Sequence, residues 1–236
     1  MNQDLRIGCI ILARFNSSRL PGKALMLLKG KPLLQHVYDA LASVFSSDQL
    51  IVATSSLSSD DPIADYCHKQ EINCFRGDLD NVAERFLQAA QHYSLDYAMR
   101  INGDNLFVEL ATVKTIATDA KLHLDFYSNV PQRTFPYGMS VEMVKVDFFS
   151  RIIDDINQST KYQEHVTLYL YDHPNVGQRK YYTNEEFPEA TGIHLSIDTP
   201  EDAKLAQQML ASLPEPIYQH SMSTIVESYH QSKNHE

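Results

Sequence analysis

Residues 7–23 read I-G-C-I-I-L-A-R-F-N-S-S-R-L-P-G-K, and the character of the stretch changes halfway. Ile7, Cys9, Ile10, Ile11 and Leu12 are apolar on both alternating faces, the pattern of a central parallel strand covered by helices on each side. Directly after it, Arg14, Arg19 and Lys23 set three cations around Ser17, Ser18 and the turn Pro21-Gly22. Open α/β sheets bind ligands at the carboxyl ends of their strands, and small residues let main-chain N–H groups join cations around an anion. The stretch therefore reads as a strand feeding a cradle for a polyanion. It is not a Walker loop, because Ala24 follows Lys23 where that motif needs Ser or Thr.

Outward from this stretch, strand and helix alternate. Pro32 opens a run of helical spacing over 33–45, residues 49–54 form a second buried strand, and Asp60-Asp61-Pro62 starts another helix. Residues 72–75 make a third strand, Arg76-Gly77-Asp78 a polar turn, and 79–90 a helix. A fourth strand over 96–101 ends in Asn102-Gly103-Asp104-Asn105, and 109–120 resumes helical spacing. Such alternation predicts an α/β fold with a mostly parallel central sheet and helices on both faces.

Past residue 124 the rhythm loosens. Strands are expected at 124–127, 138–146 and 179–183, with helices at 148–157 and 163–171. Residues 193–197 read as the last strand, and Asp198-Thr199-Pro200-Glu201-Asp202 supplies a cap, a first-turn proline and acidic residues for a helix. Pro214-Glu215-Pro216 breaks the chain before a helical extension over 214–236. With no internal repeat or linker, residues 1–236 read as one domain.

The chain of 236 residues, 43% of them apolar, is long enough for one substantial core. A formal charge of −10 argues against broad nucleic-acid binding, which relies on a basic face. No apolar run approaches the roughly 20 residues of a membrane span, and the first residues lack a signal-type pattern. A cytoplasmic protein is expected. Cys9, Cys67 and Cys74 form no C-x-x-C pair, and the ten histidines include no H-E-x-x-H, so neither a disulfide framework nor a zinc site is indicated.

Two carboxylates complete the picture. Asp104 follows the strand carrying Arg100, and Asp198 ends the strand before the capped helix. If those strands run parallel to the first, both acids face the sheet edge that bears the basic loop. Two hard oxygen ligands beside a phosphate cradle make a magnesium–nucleotide arrangement. Locally, an Asx turn at Asp104 and helix support at Asp198 account for the same residues.

Six segments then carry a resemblance: R-F-N-S-S-R-L-P-G-K at 14–23, F-R-G-D-L-D-N-V at 75–82, R-I-N-G-D at 100–104, F-P-Y-G-M-S-V-E at 135–142, Y-Q-E-H-V-T at 162–167 and S-I-D-T-P-E-D at 196–202. In this order they resemble the cytidylyltransferases of spore-coat polysaccharide biosynthesis, and more distantly the synthetases that make CMP-Kdo and CMP-sialic acid. The resemblance covers almost the whole chain to about residue 210. One departure is Leu106, where the family usually has Pro two residues after the acid in G-D-x-P; it removes no ligand.

The resemblance implies a Rossmann-like nucleotide-diphospho-sugar transferase fold and a Mg2+-dependent enzyme that joins CTP to a sugar, expected to be acidic, with release of pyrophosphate. It implies that Arg14, Arg19 and Lys23, with Ser17 and Arg100, hold the nucleotide, and that Asp104 and Asp198 bind Mg2+. Leu12 and Ala13 would lie under the base and ribose, with Arg76, Gly77 and Asp78 beside the cytosine. Arg14, Lys23 and Asp104 are the expected catalytic set. For the sugar, Tyr137, Glu142, Glu164 and His165 offer hydrogen bonds and Arg133 a carboxylate contact. Residues 135–183 are expected to form a homodimer arm and part of the sugar pocket. Two alternatives stay open: a nucleotidyltransferase that uses another NTP, and a nucleotide-binding protein without turnover.

Overall fold

The computed structural model describes residues 5–234. Strand β1 (Ile7–Leu12) leads through a loop and a short turn of 3-10 helix to the small hairpin β2 (Leu27–Leu28) and β3 (Lys31–Pro32), then α1 (Leu33–Ala42). Strand β4 (Leu50–Ser55), α2 (Asp61–Lys69), β5 (Asn73–Gly77), α3 (Val82–His92), β6 (Tyr97–Asn102) and α4 (Leu110–Asp119) follow in the expected alternation. The second half adds β7 (Phe126–Ser128), β8 (Glu142–Lys145), α5 (Val146–Ile156), α6 (Thr160–Glu164), α7 (Leu168–Asp172), β9 (Arg179–Tyr181), α8 (Pro200–Ser212) and α9 (Met222–Lys233).

Seven strands form one sheet in the order β5-β4-β1-β6-β8-β7-β9. The first four are parallel, with Leu12 opposite Ala53 on one side and Asn102 on the other. Strand β8 runs antiparallel to both β6 and β7, and β9 runs parallel to β7. Since the chain leaves β1 toward β4 and β5 and then returns to β6 on the opposite flank, the strand order reverses at β1 and β6, where such sheets open a crevice.

Helices cover both faces because the inner strands are apolar on both. One core joins Cys9 and Ile11 of β1 to Leu34, Val37 and Leu41 of α1, Val113 of α4 and Met209 of α8. The other joins Ile10 and Leu12 to Val82 and Phe86 of α3, Phe149 of α5 and Leu170 of α7.

Several expected elements differ. Residues 193–197 are not a strand: the segment makes an isolated bridge, His194 to Tyr137, and Ile197 N–H donates to the Asp104 carbonyl, 3.2 Å, without a continuous ladder. Its alternating Ile193, Leu195 and Ile197 bury themselves under α8 without a ladder. The helix expected over 163–171 is two short helices, broken where Val166 turns to φ 46°. The strand within 138–146 is confined to β8, and Arg76 and Gly77 close β5 instead of forming a turn. Residues 135–183 contribute β8 and β9 to the main sheet and α5, α6 and α7 to its face. The helical extension expected over 214–236 contains α9, and its last two residues lie outside the described residues.

Candidate active site

The basic loop after β1 is tied down by its own main chain and by one buried acid. Gly22 N–H donates to the Phe15 carbonyl (2.7 Å), and Phe15 N–H donates to Asp60 Oδ1 (2.7 Å). Asp60 is completely buried, and its Oδ2 accepts from Thr54 Oγ1 (3.0 Å) and Ser55 N–H (2.9 Å). Burial pushes this carboxyl up, but the hydrogen bonds from Ser55, Phe15 and Thr54 outweigh it and hold the group below the usual carboxylate range. In the sequence Asp60 stands out only as the opening of a helix. Its anchoring role depends on a contact 45 residues away, which no local spacing reveals.

At the far end of the loop Lys23 gathers three oxygens. Its Nζ donates to Asp104 Oδ2 (2.6 Å), Asp198 Oδ1 (2.9 Å) and the Ile197 carbonyl (2.9 Å). Arg19 adds a second cation 3.1 Å from Asp198 Oδ1. The two acids expected to share an edge are therefore joined, although Asp198 arrives on an extended segment and not on a strand. Below it, Asp202 Oδ2 accepts from Asp198 and Thr199 N–H while Thr199 Oγ1 caps α8, which fixes the segment's exit. Asp104 Oδ1 is buried without a hydrogen-bond partner. A free, oriented carboxylate oxygen next to a second carboxylate suits a hard divalent cation that draws its other ligands from substrate and water. No group of three or more His, Cys, Asp or Glu side chains able to hold a metal occurs among the described residues.

These groups open onto a cleft of about 320 Å³ at the carboxyl ends of β1 and β6. Leu12, Ala13, Arg14, Ser17, Arg19 and Lys23 line it from the first strand and its loop. Arg100, Asp104 and Asp198 line it from the other side, with Glu164 and His165 at its rim. Glu164 stands 3.8 Å from Arg14. A second cleft of about 380 Å³ adjoins the first and shares Arg100, Asn102 and His165 with it. Arg133 and Glu142 also line this second space.

Glu142 does not present a free carboxylate there. It is 2% exposed and lies opposite Arg100 in the β6–β8 register. Its Oε2 accepts from Arg100 Nη1, and its Oε1 accepts from Thr167 Oγ1 (2.6 Å) and Tyr171 OH (2.5 Å). The Tyr171 phenol, driven up by burial and by the Glu142 charge, stays a proton donor, and its oxygen lies 2.6 Å from Ser128 Oγ. Glu142, expected as a sugar ligand, thus holds the guanidinium at the junction of the two clefts.

Four expected site residues line neither cleft. The Arg76 guanidinium donates to the Ser55 and Leu57 carbonyls (2.9 and 2.7 Å) and pairs with Asp61 (2.7 Å), so it braces the turn after β4. Asp78 Oδ1 accepts from Asp80 and Asn81 N–H ahead of α3, and Gly77 lies in β5. Tyr137 stacks on His194 (centroids 5.8 Å apart) with the Arg133 guanidinium 4.8 Å from its ring centre. The structure instead brings Asn102 and Arg85 to the clefts, neither of which is marked as a contact by its local sequence.

An α/β sheet whose strand-order reversal carries a tethered basic loop, facing paired carboxylates across a cleft, defines a protein of the phosphate- and nucleotide-handling class. Comparison with known proteins narrows the class. The family model described as cytidylyltransferase matches residues 8–230, and the chain belongs to that family. It is 33% identical over 198 residues to the spore coat polysaccharide biosynthesis protein SpsF of Bacillus subtilis, covering 82% of this chain and 81% of that one. Among solved structures it resembles a cytidylyltransferase from Leptospira borgpetersenii with a TM-score of 0.88 at 24% identity, over 98% of this chain and 96% of that one. It also resembles a CMP:2-keto-3-deoxy-manno-octonic acid synthetase complexed with CTP, with a TM-score of 0.64 at 18% identity, over 87% and 98% of the two chains. The two structural likenesses bear on the fold, which they place among Rossmann-like α/β proteins.

Proposed function

We propose that this protein transfers CMP from CTP to a hydroxyl of an acidic sugar and releases pyrophosphate, in the cytoplasm and for a surface polysaccharide or related glycan. The observation that carries the proposal is the pair of clefts meeting at Arg100, Asn102 and His165. One cleft has the cations for a triphosphate, and the other has room for an acceptor. The shared wall is where an acceptor oxygen and an α-phosphorus would come together.

In the reaction the acceptor oxygen forms a bond to the α-phosphorus while the bond from that phosphorus to the bridging oxygen breaks, and pyrophosphate departs with the electron pair. Negative charge grows on the leaving group, where Arg14, Arg19 and Lys23 stabilise it. Arg100, aimed by Glu142, neutralises the oxygens of the phosphoryl group in transfer. The proton of the acceptor leaves to water or to His165 at the junction. Asp104 and Asp198 would hold Mg2+, which supplies further charge neutralisation on the phosphate oxygens when bound. Arg133 offers the acidic sugar's carboxylate a cation in the second cleft. A homodimer built on residues 135–183 is part of this reading and is tested by the particle mass in light scattering.

The deciding assay is pyrophosphate release with each of the four NTPs, with Mg2+ or a chelator, across a panel of acidic sugars. Release with CTP and one acid, lost on chelation, is the expected result. Asp104→Asn should lower turnover by about 10²–10³-fold, the scale of losing one transition-state charge contact. Equal release from all four NTPs, or full Mg2+-dependent turnover by Asp104→Asn, would overturn the proposal.

A further inference from the structure

Among the described residues three charged side chains are buried: Asp60, Glu142 and Arg85. Asp60 is satisfied by three hydrogen bonds and holds the basic loop, and Glu142 is matched by Arg100 and two hydroxyls. Arg85 is different. It is 2% exposed and its hydrogen bonds both leave through Nη1 to neutral acceptors, the carbonyls of Asp78 and Leu79 (3.2 Å to the latter). Its Nε is buried with no hydrogen-bond partner. Burial pushes its pKa down to about 10 against the opposing pull of Asp60 and Asp78.

Keeping a guanidinium in this place is costly, because a buried cation that bonds no carboxylate directly recovers little of its lost hydration from Asp60 and Asp78 at longer range. The neighbouring strand is even shaped to admit it. A Cβ on Gly77 would lie 2.8 Å from Arg85 Cγ and 3.2 Å from its Cβ, so only a bare backbone lets the stem pass. A requirement that strict, for a cation bonded only to main-chain carbonyls, calls for a use of its remaining donors.

Arg85 lines the first cleft together with Val82 of the same helix and Leu12. Leu12 and Val82 belong to the core on the α3 face of the sheet, whereas Ala13 and Ala24, beside Lys23, belong to the core on the opposite face. The cleft therefore combines cations and carboxylates suited to phosphates with the apolar Leu12 and Val82 next to the donor-rich Arg85. A flat ring with hydrogen-bond acceptors on its edge suits Leu12, Val82 and Arg85 together.

We propose that Arg85 reads the nucleotide base, donating to the acceptor edge of cytosine, and thereby sets the preference of this cleft for CTP over UTP. The inference rests on the placement of CTP in the first cleft proposed above. Cytosine offers two adjacent acceptors, its O2 carbonyl and the N3 lone pair. Uracil has an N–H at position 3, and a guanidinium carries donors only, so a UTP base turns a donor toward a donor. A buried site built around such hydrogen bonds rejects a ligand that cannot complete them far better than an apolar pocket can.

The test is calorimetric binding of CTP, UTP and pyrophosphate to the full chain without any sugar, for wild type, Arg85→Met and Arg85→Lys. Wild type should bind CTP more tightly than UTP. Arg85→Met should lose about 10- to 100-fold in CTP affinity, the worth of hydrogen bonds from a charged donor, and its CTP-to-UTP ratio should fall toward one. Pyrophosphate affinity should stay at the wild-type value, since Lys23 and Arg19 serve that end, and it also reports that the variant is folded. Arg85→Lys keeps the charge without the planar fork and should show an intermediate ratio, which decides the matter if the methionine variant does not fold. If wild type prefers CTP and both variants keep that preference, Arg85 only pins the turn at 78–79 and this inference alone fails. If wild type binds no nucleotide at all, the proposed function fails and takes this inference with it.

Discussion

At the scale of single residues, Lys23 is the group on which most of the site converges. Its ammonium neutralises two carboxylates that would otherwise repel each other, at 12% side-chain exposure against 19% and 20% for its partners. Burial raises the pKa of Asp198, yet the hydrogen bond and charge of Lys23, with help from Arg19 and Ser196, hold it below its ordinary value of 3.8. A carboxylate whose folded pKa is depressed stabilises the native state above the unfolded pKa, and that contribution disappears as pH falls through the folded value. Lys23→Met should therefore cost on the order of 2 kcal/mol at pH 7, about 4–8 °C in thermal midpoint. The gap between variant and wild type should narrow once the pH is taken below about 4. Melts at pH 7 and pH 3.5 check both halves, and a variant as stable as wild type at pH 7 would show that the bridge contributes nothing to the fold. Arg14, Arg19, Lys23 and the two acids were legible as residues because cations and small side chains crowd one short loop. Glu142 was legible only as a polar position, since its pairing with Arg100 spans 42 residues and two strands.

At the scale of elements, the parallel half of the sheet was readable and the second half less so, for a physical reason. Strands buried on both faces produce unbroken apolar runs, as in β1 and β4, and these stand out against helical spacing. Residues 193–197 mimic a strand because Ile193, Leu195 and Ile197 alternate, but alternation records burial and not hydrogen bonding. What seats this segment is Gly138. Its φ is 94°, and a Cβ there would come within 2.4 Å of Ser196 N and 2.8 Å of the Leu195 carbonyl carbon. Tyr137 on its flank exchanges main-chain hydrogen bonds with Ile193 and Leu195 at 2.8 and 2.7 Å. Gly138→Ala should push the segment away, cost about 2–4 kcal/mol, and displace Asp198 from Lys23. The expected signature is a turnover loss larger than the stability loss explains, measured at a temperature where the variant remains folded. Unchanged turnover and stability would mean that the segment adapts and that Asp198 is not positioned through it. The break at Val166 left no local signal, because a buried β-branched residue at positive φ runs against its own preference.

At the scale of the whole molecule, the two cores lie on opposite faces of the sheet, and the cleft at the strands' carboxyl ends draws on both. Leu12 and Val82 reach it from one core, Ala13 and Ala24 from the other, and Asp198 from the segment ahead of α8. A ligand filling the cleft therefore touches residues of both cores at once. The chain as a whole carries a net charge of −10, so a multiply charged anion is repelled at long range, and under the proposed function it would gain its affinity from Arg14, Arg19 and Lys23 at contact distance. A ligand that binds only the native state adds RT ln(1 + [L]/Kd), about 2.7 kcal/mol at a hundredfold excess over Kd. For a domain of this size that corresponds to a rise of about 5–10 °C in thermal midpoint. CTP with Mg2+ should produce it, CTP with a chelator should produce less because the phosphates then lack the charge neutralisation that the ion would add to Lys23 and Arg19, and Lys23→Met should blunt both. Millimolar CTP and Mg2+ leaving the midpoint of the folded wild type unmoved would mean that the nucleotide does not bridge the two cores, and the cleft would lose its place as the nucleotide site.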